Sequence, residues 1–138
     1  MSDSVKRRIL VVDDEPSIAK ILRKQLEVAG FDVAVAVDGA DALVKVREFR
    51  PDLMVLDVML PKLNGHQVCA ALKRDVELKQ IPVLMLTAKA QRKDQDEGLL
   101  SGADAFLTKP FQLDELLGQV RRLLGDSASA PPVQAGGT

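Results

Sequence analysis

Five short apolar runs recur along the chain and alternate with stretches of helical spacing or mixed charge. Most of these runs are unalternated, which is typical of strands buried on both faces of a parallel sheet. The predicted strands are Arg8 to Val12, Phe31 to Val37, Asp52 to Leu56, Pro82 to Leu86 and Ala103 to Leu107. The pattern therefore predicts an α/β fold: a doubly wound, five-stranded parallel sheet flanked by five helices, with right-handed crossovers.

The first two predicted helices begin and end at residues with clear conformational preferences. Pro16 suits the first turn of a helix, where its missing N–H costs no hydrogen bond, and Gly30 suits the end. Asp38-Gly39 opens the second helix, and Arg50-Pro51 ends it because the residue before proline avoids the helical region. Helical spacing assigns these residues to the inner faces: Ile18, Leu22, Leu26 and Ala29 in the first helix, and Leu43, Val46 and Phe49 in the second.

The fourth predicted helix differs from the other helices. Val68, Cys69 and Leu72 mark the third, and regularly spaced leucines between Leu113 and Leu124 mark the fifth. The segment from Ala90 to Leu100 instead begins with polar, charged and glycine residues, so it has little apolar surface to hold it against the sheet. We expect it to be the loosest element of the domain.

Composition adds limits on the kind of protein. With 46% hydrophobic residues, 28% charged residues and a formal net charge of −1, the chain is typical of a soluble globular domain. There is no basic field for direct nucleic-acid binding, and no apolar run long enough for a membrane span or signal peptide. A lone Cys69, expected in the core, excludes an internal disulfide and is compatible with the cytoplasm.

The length of 138 residues suits one domain, which we assign to residues 1–124. From Gly125 onward the sequence GDSASAPPVQAGGT cannot form a core, so residues 125–138 are predicted to be a disordered tail or linker rich in Ala, Gly, Ser and Pro. A natural tail and a linker to a further domain are both compatible with this composition.

Polar residues stand at the ends of four predicted strands: Asp13, Asp14, Asp57, Thr87 and Lys109. Alone, Asp57 would be interpreted as the start of a turn. Because a doubly wound sheet brings the carboxyl ends of its strands to one edge, however, these residues are expected to converge where ligands bind in such folds.

The expected charges indicate the chemistry. Three carboxylates within about 4 Å of one another would repel by ~4 kcal/mol per pair at an effective dielectric constant of 20. Oxygen ligands without His or Cys favour a hard cation such as Mg²⁺, and Lys109 adds a fixed positive charge. If Asp57 were phosphorylated, the site would lack hydrogen-bond donors, which the Thr87 hydroxyl could supply. We therefore predict Mg²⁺-assisted phosphorylation of Asp57.

The motifs VVDDEP, LDVMLPKLNG, LTA and TKPF, in this order and spacing, resemble the receiver domain of two-component response regulators. Each motif is weakly specific, but the ordered set is highly specific, and it extends from about Lys6 to Leu124. The resemblance implies a flavodoxin-like (βα)5 fold with strand order 2-1-3-4-5. It also implies a signalling switch rather than an enzyme, one that promotes only its own phosphorylation and dephosphorylation.

The same resemblance assigns roles to individual residues. It makes Asp57 the phospho-acceptor, with Lys109 contacting the phosphoryl group before a cis peptide to Pro110. The implied Mg²⁺ ligands are Asp14, Asp57, the Met59 backbone carbonyl and, mainly through water, Asp13. Mn²⁺ can take the place of Mg²⁺. Thr87 and Phe106 are the implied switch residues, which on phosphorylation would repack the surface of the fourth helix, fifth strand and fifth helix.

The resemblance also implies partners. A sensor histidine kinase or a phosphotransfer protein would supply the phosphoryl group. The output would be a downstream protein or an output domain that follows the tail, and the charged residues of the last two helices leave room for a phosphorylation-dependent homodimer. Neither nucleic acid nor a membrane is expected to contact this domain directly.

Two other classes use related residues and fit less well. A phosphatase of the haloacid-dehalogenase type needs a second acid two residues after its nucleophile, where this chain has Met59. A flavodoxin-type flavin module needs Ser, Thr and Gly after its first strand, where Asp13-Asp14-Glu15 would repel phosphate. His66, the only histidine, is predicted to lie on the surface, and Met54, Met59 and Met85 are predicted to be packing residues.

Overall fold

Alternation of strand and helix along the chain produces a single five-stranded sheet in the computed structural model, which describes residues 6–61, 63–88 and 102–125. All neighbouring strands are parallel, and their order is β2-β1-β3-β4-β5. The predicted fold class and strand order are confirmed. None of the helices in these ranges has both the length and the hydropathy to cross a membrane.

Nine elements are described. The strands are β1 (Arg8–Val12), β2 (Asp32–Ala36), β3 (Leu53–Asp57), β4 (Val83–Ala88) and β5 (Ala105–Lys109). The helices are α1 (Pro16–Val28), α2 (Gly39–Phe49), α3 (Gly65–Lys73) and α4 (Leu113–Leu123). The fourth predicted helix, Ala90 to Leu100, lies outside the described residues, as does the predicted tail apart from Gly125.

Hydrophobic side chains fill both sides of the sheet, as the unalternated strands predicted. On one side α2 and α3 cover residues such as Met54 and Met85, and Cys69 is buried among them. On the other side α1 and α4 cover residues such as Val55 and Leu84. All residues from Leu53 to Leu56 are fully buried because helices pack on both faces of β3.

One inner-face prediction is wrong. Ile18 is 40% exposed, and the neighbouring Ala19 takes the buried position on α1 together with Leu22 and Leu26. A small residue suits the place where a helix approaches a strand closely, and sequence spacing alone favoured the larger apolar side chain one position earlier.

The carboxyl ends of β4 and β5 lie further along the chain than predicted. Thr87 pairs with Thr108 and Ala88 pairs with Lys109, so these residues belong to strands and do not follow them. Apolar runs mark only the buried part of a strand, whereas hydrogen-bonded pairing continues into the polar residues at the sheet edge. Lys109 is therefore held by the sheet.

Candidate functional site

Asp57 is the last residue of β3, and both of its carboxylate oxygens have partners. Its Oδ1 accepts a hydrogen bond from Met59 N at 2.9 Å. Its Oδ2 forms an ion pair with Lys109 Nζ at 2.7 Å. The Asp57 side chain is 7% exposed, whereas that of Lys109 is 36% exposed. A nearly buried carboxylate thus receives its counter-charge from a side chain that reaches in from solvent.

Asp13 lies at the end of the adjacent strand β1 and is almost completely buried. Its Oδ1 accepts a hydrogen bond from Glu15 N at 2.9 Å, while its Oδ2 is buried without a hydrogen-bond partner in the described part of the chain. Burial raises the pKa of Asp13, and the negative charge of Asp57 adds to the increase. The hydrogen bond from Glu15 N and the charge of Lys109 act in the opposite direction.

An open cleft of about 680 Å³ gives solvent access to this edge of the sheet. Asp57 and Lys109 line it together with Asp14, which is exposed. The Met59 side chain also lines the cleft and is 60% exposed. The structure thus gathers at one cleft three of the five polar residues predicted to converge from distant parts of the chain, Asp14, Asp57 and Lys109, with Asp13 buried beside them.

Thr87 and Phe106 do not line this cleft. The Thr87 side chain is buried, and its hydroxyl donates a hydrogen bond to the backbone oxygen of Ala88 at 3.0 Å. Phe106 pairs with Met85 in the sheet and packs, partly buried, against the core on the side of α2 and α3. In this state the Thr87 hydroxyl is therefore engaged by its own strand.

The loop after β3 is shaped by Asn64 and Gly65. Asn64 is the N-cap of α3: its side chain accepts from Gln67 N, and the Gln67 side chain accepts from Asn64 N. Gly65 N donates to Val58 O at 2.9 Å, and a Cβ on Gly65 would stand only 2.6 Å from the backbone oxygen of Asp57. Only glycine lets α3 start this close to the end of β3.

The sequence interpretation missed some residues of the cleft. Asn64 and Glu15 both line it. The spacing of Asn64 and Gln67 is that of a capping box and could have been recognised in the sequence. His66 was predicted to lie on the surface; it is partly exposed and lines the cleft, but its ring nitrogens are buried, because the turn of α3 faces the end of β3.

The donor set fits a hard divalent cation. Across residues 6–61, 63–88 and 102–125, no three side chains of His, Cys, Asp or Glu are grouped so that they could hold a metal by themselves. Mg²⁺ usually binds one or two carboxylates and keeps several waters, so it does not need such a cage. The buried Asp13 Oδ2, which has no hydrogen-bond partner in these ranges, supports a cation at this position.

Replacing Asp13 with Asn is expected to stabilise the metal-free protein at neutral pH by about 1 kcal/mol, because burying a charged group without a full set of partners costs more than burying an amide, and Asn can keep the hydrogen bond from Glu15 N. Since the folded-state pKa of Asp13 lies above its unfolded value of 3.8, stability should also fall as pH rises through the raised pKa. Thermal unfolding in a chelator measures both effects.

The matched control for that measurement is Asp14→Asn, which removes the same charge from an exposed position. It should change the melting temperature less than Asp13→Asn. Added Mg²⁺ should reduce the advantage of Asp13→Asn, because the cation compensates the natural carboxylate. An Asp13→Asn protein that melts below the natural one in chelator would contradict this assignment.

Comparison with known proteins places this geometry in context. Residues 9–121 match the family model described as the response regulator receiver domain. The chain is 50% identical over 117 residues to the DNA-binding dual master transcriptional regulator RpaA of Synechocystis sp., which is 85% of the chain and 48% of that protein. It is 48% identical over 129 residues to the DNA-binding response regulator MtrA of Mycolicibacterium smegmatis, with coverages of 94% and 55%.

The chain therefore spans about half the length of these curated relatives. A solved structure of similar size is the receiver domain of the sensor histidine kinase PA1611 from Pseudomonas aeruginosa, which holds a magnesium ion in its active-site cleft. It matches 88% of the chain and 99% of its own length, with a TM-score of 0.81 and 28% sequence identity.

Proposed function

The chain belongs to the response regulator receiver domain family, and from this we propose that it accepts a phosphoryl group on Asp57 in a Mg²⁺-dependent reaction. As a member of that family it is a signalling switch rather than an enzyme. The observation that carries the assignment of the acceptor is the Asp57 carboxylate, nearly buried at the end of β3 and yet lining an open cleft beside Lys109.

In the proposed reaction a carboxylate oxygen of Asp57 attacks the phosphorus atom of the donor. The new bond joins oxygen to phosphorus, and the bond from phosphorus to the donor nitrogen or oxygen breaks, so the donor leaves with the electron pair. The hydrogen bond from Met59 N holds one carboxylate oxygen, and Lys109 is placed to neutralise charge on the transferred group.

Mg²⁺, when bound, would supply positive charge to the phosphoryl oxygens. The residues proposed to hold it are Asp14, Asp57 and the Met59 backbone carbonyl, with Asp13 acting mainly through water. Support comes from the buried unsatisfied oxygen of Asp13 and from the magnesium ion of the PA1611 receiver domain. The physiological donor is proposed to be a histidine kinase or a phosphotransfer protein, as the family membership favours.

Small-molecule phosphorylation tests this proposal directly. The protein is expected to form a phosphoprotein with acetyl phosphate in Mg²⁺, to retain part of that activity in Mn²⁺, and to form none in excess EDTA. Intact-protein mass spectrometry measures the yield, and the acid and base lability of the product identifies an acyl phosphate. Equal labelling in EDTA would rule out the proposed role of the metal.

We also propose that Thr87 and Phe106 change position on phosphorylation. The Thr87 hydroxyl would leave Ala88 O for the phosphoryl oxygens, and Phe106 would turn inward. Hydrogen exchange with and without beryllofluoride and Mg²⁺ tests this: exchange should change across residues 90–111, with Asp57→Asn as the unresponsive control. Changes elsewhere with none in that range would contradict the proposed switch.

The output of the switch is proposed from the relatives. Two of them are named as DNA-binding regulators, and the segment that matches this chain is about half of each. A DNA-binding output controlled by this domain is therefore the best-supported role. The domain itself is not expected to contact DNA, because the net charge of the chain is −1.

A further inference from the structure

Strand β2 is one of the two outer strands of the sheet. It pairs with β1 through backbone groups of alternate residues: Asp32 N donates to Arg7 O at 2.9 Å, and Ala36 O accepts from Asp13 N at 3.1 Å. Successive residues of a strand direct their N–H and C=O groups to opposite sides, so Val33, Val35 and Val37 direct theirs away from β1. A row of unpaired groups of this kind is a template for another strand.

Two side chains of α2 cover part of this row. Lys45 Nζ donates to Val35 O at 2.7 Å, and Asp41 Oδ2 accepts from Val37 N at 3.0 Å. The two side chains also form an ion pair with each other at 3.3 Å. In a parallel sheet, one residue of a neighbouring strand would donate its N–H to Val35 O and accept, through its C=O, from Val37 N. The Asp41–Lys45 pair thus occupies the hydrogen-bonding positions of one residue of a sixth strand.

We propose that the Asp41–Lys45 pair is an edge cap, which prevents β2 from pairing with β2 of a second copy of this chain. The cap is made only of side chains on α2, so the inference stands independently of the proposed phosphorylation. Its function is to keep the sheet from extending through this edge. The energetic basis is that neither backbone group is left unpaired, so an incoming strand gains little by replacing the cap.

A second copy is the occupant that the uncapped edge fits best, because β2 is complementary to itself. In an antiparallel pair related by a two-fold axis at Val35, Val35 exchanges both hydrogen bonds with its counterpart. Val33 then exchanges both with Val37 of the second copy. The cap occupies Val35 O and Val37 N, so only the bond from Val33 N to the other copy's Val37 O remains available on each side.

Apolar surface beside the edge favours the same occupant. Val35 and Val37 line an open hollow of about 230 Å³ that also includes Ala19 of α1, and Val37 is 53% exposed. Alternate residues of a strand share a face, so valine side chains of an added β2 would lie next to this hollow. Strand addition typically combines main-chain hydrogen bonds with side-chain contacts of this kind.

The test removes the cap while keeping the fold. Asp41→Ala with Lys45→Met removes one charge of each sign, and methionine keeps most of the aliphatic stem of lysine. The natural protein is expected to remain monomeric through this edge, and the double variant is expected to dimerise at least about tenfold more tightly. Sedimentation velocity over a concentration series measures the dissociation constant, and hydrogen exchange at low concentration follows the Val37 amide.

Two matched variants separate strand pairing from nonspecific association caused by the loss of two charges. Arg47→Met with Asp75→Asn removes another α2 ion pair and one charge of each sign, but neither residue lines the hollow or bonds to β2, so association should stay unchanged. Adding Val35→Pro to the cap variant removes an outward-facing donor without removing a bond to β1, and should restore the monomer.

Each outcome decides the inference. Faster exchange at Val37 together with tighter dimerisation that Val35→Pro reverses supports it. Unchanged Val37 exchange in the cap variant would mean that Asp41 does not cover this amide. Faster exchange without tighter dimerisation would mean that the cap does not prevent pairing. Either result overturns the proposal. Dimerisation that survives Val35→Pro overturns it as well. If the double variant unfolds, Lys45→Met alone uncovers Val35 O and leaves Asp41 on Val37 N. The readout is then dimerisation alone: tighter dimerisation that Val35→Pro reverses supports the inference, and unchanged dimerisation overturns it.

Discussion

Replacing Asp57 with Asn is expected to lower phosphorylation by acetyl phosphate by at least about 10³-fold, because it removes the nucleophile and leaves only the binding groups. Asparagine has nearly the same shape, and its amide oxygen can still accept the hydrogen bond from Met59 N. The change therefore removes the charge and the reactivity of one group while preserving the loop after β3. Intact-protein mass spectrometry in Mg²⁺ measures the loss.

The control for this variant is Asp52→Asn, which makes the same chemical change just before the other end of β3. Asp52 accepts a hydrogen bond from Arg8 N at 2.7 Å and does not line the cleft. It should be labelled at the same rate as the natural protein. If Asp57→Asn were labelled equally fast, another residue would be the acceptor and the proposed function of this site would be wrong.

Replacing Lys109 with Met is expected to slow phosphorylation by about 10²-fold, which is the typical effect of losing one group that stabilises transition-state charge. The Nζ of Lys109, at 2.7 Å from Asp57 Oδ2, is the cation closest to the proposed acceptor in the described part of the chain. Its loss removes the fixed positive charge that the described residues place beside the proposed acceptor. Initial rates with acetyl phosphate at saturating Mg²⁺ measure the effect, and Lys109→Arg should restore part of it.

The same variant has a separate effect on stability. Without Lys109, the nearly buried Asp57 carboxylate loses its counter-charge, so the free energy of unfolding in chelator should fall by about 1 kcal/mol. This figure is well below the cost of breaking a fully buried ion pair, because Lys109 is 36% exposed and water screens its charge. In an Asp57→Asn background, Lys109→Met should have little effect on stability, since the carboxylate is already gone. A cost that persists there would mean that Lys109 stabilises the fold through other contacts.

These predictions rest on residues that are far apart in sequence, and the sequence could indicate them only in part. The apolar run from Leu53 to Leu56 correctly predicted a strand buried on both faces, because few other structures hide four consecutive apolar side chains. The resemblance to receiver domains then assigned roles to the polar residues at the strand ends. Whether Asp57 and Lys109 actually meet depends on the pairing of β3 with β4 and of β4 with β5.

Errors of the sequence interpretation share one physical cause. Ile18 was assigned to the core but is exposed, and His66 was assigned to the surface but is partly buried, with its ring nitrogens inside. Helical spacing gives the angle of each side chain around the helix axis. Burial also depends on how closely a neighbouring strand approaches at that point. The same limit applies to Asp41 and Lys45, whose spacing indicates an ordinary surface ion pair, whereas the structure places both on the backbone of β2.

The sequence by itself therefore determined the order of strands and helices, the two-sided core and the family, since apolar periodicity and short motifs are local properties of the chain. Only the tertiary structure decided which oxygens of Asp57 and Asp13 have partners and how α2 covers the outer strand. The contacts of Asp57 with Lys109 and of Lys45 with Val35 join different elements of the fold. Their distances are set by the packing of strands and helices, which no local pattern records.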